Sequence, residues 1–70
     1  MTTATIQGFK VEFTEEYGTT DVMIQYGNFC SSLEFAKAYG ELENGKTGDM
    51  YPIKATAVAK IQAWADTLGY

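Results

Sequence analysis

Phe9-Lys10-Val11-Glu12-Phe13-Thr14 and Asp21-Val22-Met23-Ile24-Gln25-Tyr26 each alternate apolar and polar side chains, the period-two signature of a strand with one buried face. Setting Phe13 opposite Val22 brings Val11 opposite Ile24 and Phe9 opposite Tyr26. One antiparallel register therefore places all six apolar residues on the same side. The connection from Thr14 to Asp21 holds Tyr17-Gly18, and glycine accepts the positive φ that hairpin loops often require. Upstream, Ala4 and Ile6 have the opposite parity to Phe9, so Gly8 is expected to mark a bulge or bend.

Beyond the hairpin the period changes to that of a helix. Ser31-Ser32-Leu33-Glu34 has the spacing of a capping box, with the Ser31 hydroxyl accepting from the Glu34 N–H and the Glu34 carboxylate reaching back. Phe35, Ala36, Tyr39 and Leu42 then share one helical face while Glu34, Lys37 and Glu41 look outward. Gly40 weakens that helix by about 1 kcal/mol relative to alanine, and Asn44-Gly45 stops it. The last segment presents Ile53, Ala57, Ile61, Trp64 and Leu68 as a second stripe, closed by Gly69 in the usual C-terminal position. Pro52 suits the first turn of a long helix, the favoured reading. The alternative makes Tyr51-Pro52-Ile53-Lys54 a short edge strand, with Thr56 capping a shorter helix. These signals predict one α+β domain over residues 1–70: an antiparallel β-hairpin covered by two α-helices in the order ββαα, with room for a third short strand.

Composition removes many chemistries. The 70 residues hold nine carboxylates against five cationic side chains, all of them lysine, and no histidine. Without arginine the chain lacks the bidentate fork that grips phosphate or reads guanine. Zinc has no ligand set, with one cysteine and no histidine, and Cys30 has no histidine to act as its base. It is read instead as a small apolar residue at the helix entry. One cysteine forms no internal disulfide and carries no mark of an oxidising compartment. There is no secretory signal, no apolar run near the length of a membrane span and no lipidation pattern, which makes the cytoplasm the expected location. Residues 1–45 carry seven of the nine carboxylates but only Lys10 and Lys37. That negative field opposes nucleic acid and anionic membrane, and favours a basic partner.

Three further features of the sequence bear on function. Gly40-Glu41-Leu42-Glu43-Asn44-Gly45-Lys46-Thr47 matches the phosphate-binding pattern G-x-x-x-x-G-K-[ST] letter for letter. A true loop of this kind follows a buried parallel strand and opens a helix; here a capped helix is expected before it, and Glu41 and Glu43 repel phosphate. The match is read as coincidence. Glu15, Glu16 and Asp21 flank one loop, but calcium needs six or more oxygens and the EF-hand spacing is absent. Tyr26 and Tyr39 fall on expected core faces. Tyr17, Tyr51 and Tyr70 have no core role, and tyrosine is enriched where proteins meet. Tyr17, with Glu15 and Glu16 beside it, is suited to a basic protein surface.

Gly8-Phe9, the alternation through Phe13, and Ala38-Tyr39-Gly40 near the end of the following helix give residues 8–40 a resemblance to the small acidic anti-CRISPR proteins of phages. Those proteins begin with a hairpin, continue into a helix and occupy the nucleic-acid-binding surface of a bacterial surveillance complex. The resemblance implies a nucleic-acid mimic whose carboxylates stand in for phosphates, encoded by a phage or another mobile element and acting in the host cytoplasm. The resulting expectation is a non-enzymatic inhibitor without cofactor or metal, directed at a basic surface of a host protein or ribonucleoprotein complex. Glu12, Glu15, Glu16, Asp21, Glu41 and Glu43 would supply the field and Tyr17 the anchor. The alternative is a small assembly subunit that forms a homodimer through an exposed hairpin edge or its alanine-rich helix.

Overall fold

Gln7-Gly8, Tyr17-Gly18 and Gly27-Asn28 each join two strands through a loop of two residues, as the pairings Ile6–Phe9, Glu16–Thr19 and Tyr26–Phe29 require. Gln7 and Gly8 lie at φ 54° and 85°, Tyr17 and Gly18 at 53° and 77°. Positive φ at both central positions is the type I′ turn, whose twist matches that of the flanking strands. Gly27 at φ 60° followed by a residue of ordinary φ is the type II′ pattern. The computed structural model describes residues 1–70 and opens with the meander these turns create: β1 (Thr2–Ile6), β2 (Phe9–Glu16), β3 (Thr19–Tyr26) and β4 (Phe29–Ser32). Gly8 is thus the second residue of a hairpin turn, not a bulge. A two-residue loop carries Ile6 and Phe9 onto the same face, which resolves the apparent clash of parity.

Helix α1 (Leu33–Tyr39) follows directly. Its N-cap is Ser32, whose hydroxyl accepts from the Phe35 N–H at 3.1 Å. The expected Ser31–Glu34 box does not form: Ser31 is buried on β4 and its hydroxyl donates to the Ser32 carbonyl at 3.2 Å. Gly40, at φ 68°, ends the helix in the left-handed region and returns its N–H to the Ala36 carbonyl at 2.8 Å. The glycine is a stop signal, so Leu42 leaves the helix stripe and enters β5 (Glu41–Glu43). A short hairpin leads to β6 (Met50–Pro52), and α2 (Ala55–Thr67) completes the chain. Residues 50–52 are therefore an edge strand and not the start of a long helix; the strand shares Tyr51 and Pro52 with the alternative reading but begins at Met50 and leaves out Ile53 and Lys54. The N-cap of α2 is Lys54, which makes no side-chain cap bond, so Thr56 lies inside the helix.

All six strands form one antiparallel sheet in chain order. The architecture is a β-rich two-layer fold in the order ββββαββα, which overturns the expected two-strand hairpin in the order ββαα. What does carry over is the central register, with Val11 opposite Ile24 and Phe13 opposite Val22. Those residues, with Phe9 and Leu42, face Leu33 and Ala36 of α1 and Ala57, Ile61 and Ala65 of α2 in one continuous core. Burial of each large aliphatic side chain there stabilises the fold by about 1.5–3 kcal/mol. Both helices lie on this side; the opposite face of the sheet has no covering layer. The accessible surface of 4588 Å² accordingly exceeds the roughly 4,300 Å² expected for a monomer of this mass. No helix is long and apolar enough to cross a membrane.

Candidate partner-binding face

Strand pairing determines which side chains the uncovered face presents. Residues directly opposite across antiparallel strands share a face, and every second residue along a strand returns to it. One row across the sheet therefore reads Thr5, Lys10, Gln25, Cys30, Glu43 and Met50. The next carries Thr3, Glu12, Met23 and Ser32, with Glu41 and Pro52 beyond. Toward the β2–β3 turn come Thr14 opposite Asp21 and Glu16 opposite Thr19. Five carboxylates thus lie on this face: Glu12, Glu16, Asp21, Glu41 and Glu43. Lys10 is the only cation among them. Lys37, Lys54 and Lys60 are on the helical side or at its margin.

The structure separates some residues that the sequence placed together. Glu15 pairs with Thr20 and has core-face parity, so it points away from Glu16 although adjacent to it. Glu12 and Glu41 lie on strands three apart, about 14 Å at the usual interstrand spacing. The carboxylates form a dispersed field and not a cluster; no three acidic, cysteine or histidine side chains gather as a ligand set for a metal ion. Beside Glu12, the one carboxylate that lines it, is a shallow concavity of about 500 Å³. Thr3, Lys10, Glu12, Met23, Gln25 and Cys30 line it. Cys30 is exposed on β4, which corrects its expected place as a buried residue at the helix entry. Met23, Gln25 and Cys30 carry no sequence signal of a site, because their place in it comes from lying on the side of the sheet that the helices leave open.

Tyr17 occupies the first central position of the β2–β3 turn, with φ 53° and 96% of its surface exposed. A left-handed conformation costs an ordinary L-residue roughly 1–2 kcal/mol, and a bulky side chain there is an outlier. The ring recovers none of that through burial. The other tyrosines depart from their expected places. Tyr39, at 67% exposure, packs its ring at a tilt against Phe35 at the surface of α1, centroids 4.7 Å apart. Tyr26 is 41% exposed and joins Phe9, Phe29 and Tyr51 in an aromatic cluster at the sheet end nearest the Gln7-Gly8 turn, with ring centroids 4.8 Å apart between Tyr26 and Tyr51. Tyr70 packs against the core and donates its hydroxyl to Glu34 Oε1 at 2.5 Å. That bond to a carboxylate, with partial burial and the negative charge of Glu34 and Asp21, pushes the phenol up to about 12. Lys37 Nζ lies 3.8 Å from the same oxygen. Glu34 is thus engaged on the helical layer and takes no part in the open face.

The Gly40–Thr47 pattern is the approach to a hairpin tip. Asn44 Oδ1 accepts from the Lys46 and Thr47 N–H groups at 3.0 and 3.3 Å, and the Asn44 carbonyl accepts from Gly48 at 2.7 Å. The Thr47 hydroxyl donates to Asp49 Oδ2 at 2.9 Å and accepts from the Asp49 N–H at 3.2 Å. Backbone donors that a phosphate would need are consumed within the loop, and the next element is β6, not a helix. Compared with known proteins, the chain matches no family model, no curated protein and no solved structure.

Proposed function

We propose that the chain is a non-enzymatic binding protein that applies the open face of its sheet to a basic, nucleic-acid-binding surface of a host protein or ribonucleoprotein complex. The observation that carries this reading is the segregation of charge: five carboxylates and one lysine on the layer that nothing covers. A rigid sheet holds such side chains at set spacings, so little order is lost when they meet their partners. The field raises the association rate and orients the encounter, and ion pairs at the rim add modestly to affinity. Tyr17 stands at the edge of this face as a preset aromatic anchor, and the strain at its backbone favours a role outside folding. The anti-CRISPR resemblance narrows the target class to a bacterial surveillance complex whose basic groove normally holds nucleic acid. An inhibitor of this kind acts in the host cytoplasm.

The test compares two variants of equal net charge as baits in nuclease-treated bacterial lysate. Glu16→Lys with Glu43→Lys neutralises the open face, while Glu15→Lys with Asp66→Lys makes the same change of charge elsewhere. The expected result is a basic protein or ribonucleoprotein retained by the native chain and the second variant, released by salt, and lost from the first. Equal retention by both variants would reject this face.

A further inference from the structure

The two edges of the sheet are not alike. In the β5–β6 pair, bonds from Ile53 N–H to Gly40 and from Asn44 N–H to Asp49 establish the alternation, so Met50 and Pro52 are the β6 residues whose backbone faces outward. Pro52 has no N–H to offer, and the strand is three residues long. That edge is blunted in the usual way. At the other edge, β1 reads Thr2-Thr3-Ala4-Thr5-Ile6: no charge, no proline, no bulge, and nearly all β-favouring residues. The two-residue loop closes on a hydrogen-bonded Ile6–Phe9 pair, and the alternation makes Ala4–Val11 and Thr2–Phe13 bonded pairs too. The N–H and C=O groups of Thr3 and Thr5 therefore point out of the sheet without a strand to receive them.

We infer that β1 is a homodimer interface, pairing antiparallel with β1 of a second copy about a two-fold axis through Ala4. The sequence suits that axis. With Ala4 opposite Ala4, Thr3 of each copy meets Thr5 of the other, and these are the residues with free backbone groups, so four hydrogen bonds form. The alanines fall on a non-hydrogen-bonded pair, where Cα atoms approach to about 4.5 Å and a small side chain is favoured. Threonines face each other across the open side, a favourable cross-strand pairing. On the helical side the half-buried Ile6 meets Thr2, and the partly buried Trp64 lies on the flank of α2 opposite Val58 and Gln62, which face the α1 groove. A charged peptide gains nothing from a neutral strand, whereas a second copy matches it residue for residue. The carboxylate nearest the axis, Glu12, is one strand inside the edge; its mate is about 14 Å away, beyond the Debye length of about 8 Å at physiological salt. The axis is perpendicular to the sheet, so both open faces lie on one side of a continuous twelve-stranded sheet. This inference stands apart from the proposed target.

Five paired residues make an interface smaller than the roughly 1,200 Å² of stable complexes, so the dimer is expected to be weak, with a midpoint of about 10–100 µM. Sedimentation equilibrium from about 5 to 500 µM should show the mass rising from 7.7 kDa toward twice that value. Amide exchange by NMR should show Thr3 and Thr5 protected at high concentration only, while Ala4 is protected throughout by β2. Thr5→Pro removes an outward donor without touching the β1–β2 bonds, and Thr5→Lys places a charge at the edge while keeping every backbone group. Both should remain folded by circular dichroism and raise the midpoint by at least about tenfold. A 7.7 kDa species at every concentration would overturn the inference. So would a dimer that survives both variants, or one that leaves the Thr3 and Thr5 amides unprotected. Added salt leaves this dimer intact or tightens it, whereas capture of a basic partner weakens, so the two associations can be told apart.

Discussion

Replacing Tyr17 with asparagine should stabilise the protein while weakening its capture of a partner. The backbone at Tyr17 has φ 53° and its neighbour Gly18 φ 77°, the geometry for which Asn-Gly is the preferred dipeptide. Tyrosine has no local hydrogen bond to offset the left-handed penalty of roughly 1–2 kcal/mol, whereas the asparagine side chain does. Because the ring is 96% exposed, its removal forfeits almost no burial, and the net gain is about 1 kcal/mol. In a domain of this size that raises Tm by about 4–8 °C, readable by circular dichroism and by the fluorescence of Trp64. Tyr17→Ala keeps the strained φ and lacks the ring, so it should fall within about 0.5 kcal/mol of the native chain. If Tyr17→Asn loses stability, or Tyr17→Ala loses about 1 kcal/mol, the ring is packing on something and the turn argument fails. If Tyr17→Asn gains stability and retains its partner undiminished, the anchor role is rejected and the strain has no functional account.

Gly40→Ala should cost about 1 kcal/mol in urea unfolding, purely through its left-handed φ of 68°, since no atom lies within 4 Å of an added Cβ; Gly40→Asn should recover part of that, and equal losses would refute the conformational cause. Cys30 should be alkylated stoichiometrically by a maleimide in the native state, as followed by mass spectrometry, and the bulky adduct should block partner capture. Labelling that requires denaturant would place β4 the other way up. Tyr70 makes a pH-dependent contribution. Its phenol is raised from 10.0 to about 12 by the bond to Glu34, so the stability it adds is complete below pH 10 and is lost as pH rises through 12. Tyr70→Phe should abolish the highest phase of the phenolate absorbance titration and flatten stability against pH across that window; an unchanged titration would remove Tyr70 from the bond.

The legible part of the sequence was the part governed by nearest-neighbour periodicity. Phe9 through Phe13 and Val22 through Tyr26 alternate over enough residues that one register satisfies them all, and the stripe from Ala57 to Leu68 has enough turns to be unmistakable as a helix. The short strands were not legible for physical reasons that can be named. Phe29-Cys30-Ser31-Ser32 is four residues with two serines, so its local chemistry is that of a helix cap, and one serine does cap a helix. Gln7-Gly8 hides a hairpin because glutamine seldom takes positive φ. Gly40 has the same composition as a weak point inside a helix and as its terminator, and only the left-handed backbone distinguishes them. Of the candidate site, the sign of the charge was evident and its sidedness was not: Glu15 and Glu16 are neighbours in the chain and belong to opposite faces.

Composition alone determined that this is a small acidic domain poor in phosphate-gripping groups, because counts of ionisable side chains do not depend on how the chain folds. Local alternation determined the central hairpin register, because a slip of one residue would turn every apolar side chain into water. Tertiary structure decided the rest. Leu42 becomes a strand residue because the free edge of β4 awaits it once α1 has returned the chain beside that strand, and Tyr51-Pro52 becomes an edge strand because β5 is there to pair with it. The acidic face exists because both helices pack on the other side of the sheet, an outcome of where the continuous apolar surface lies in three dimensions.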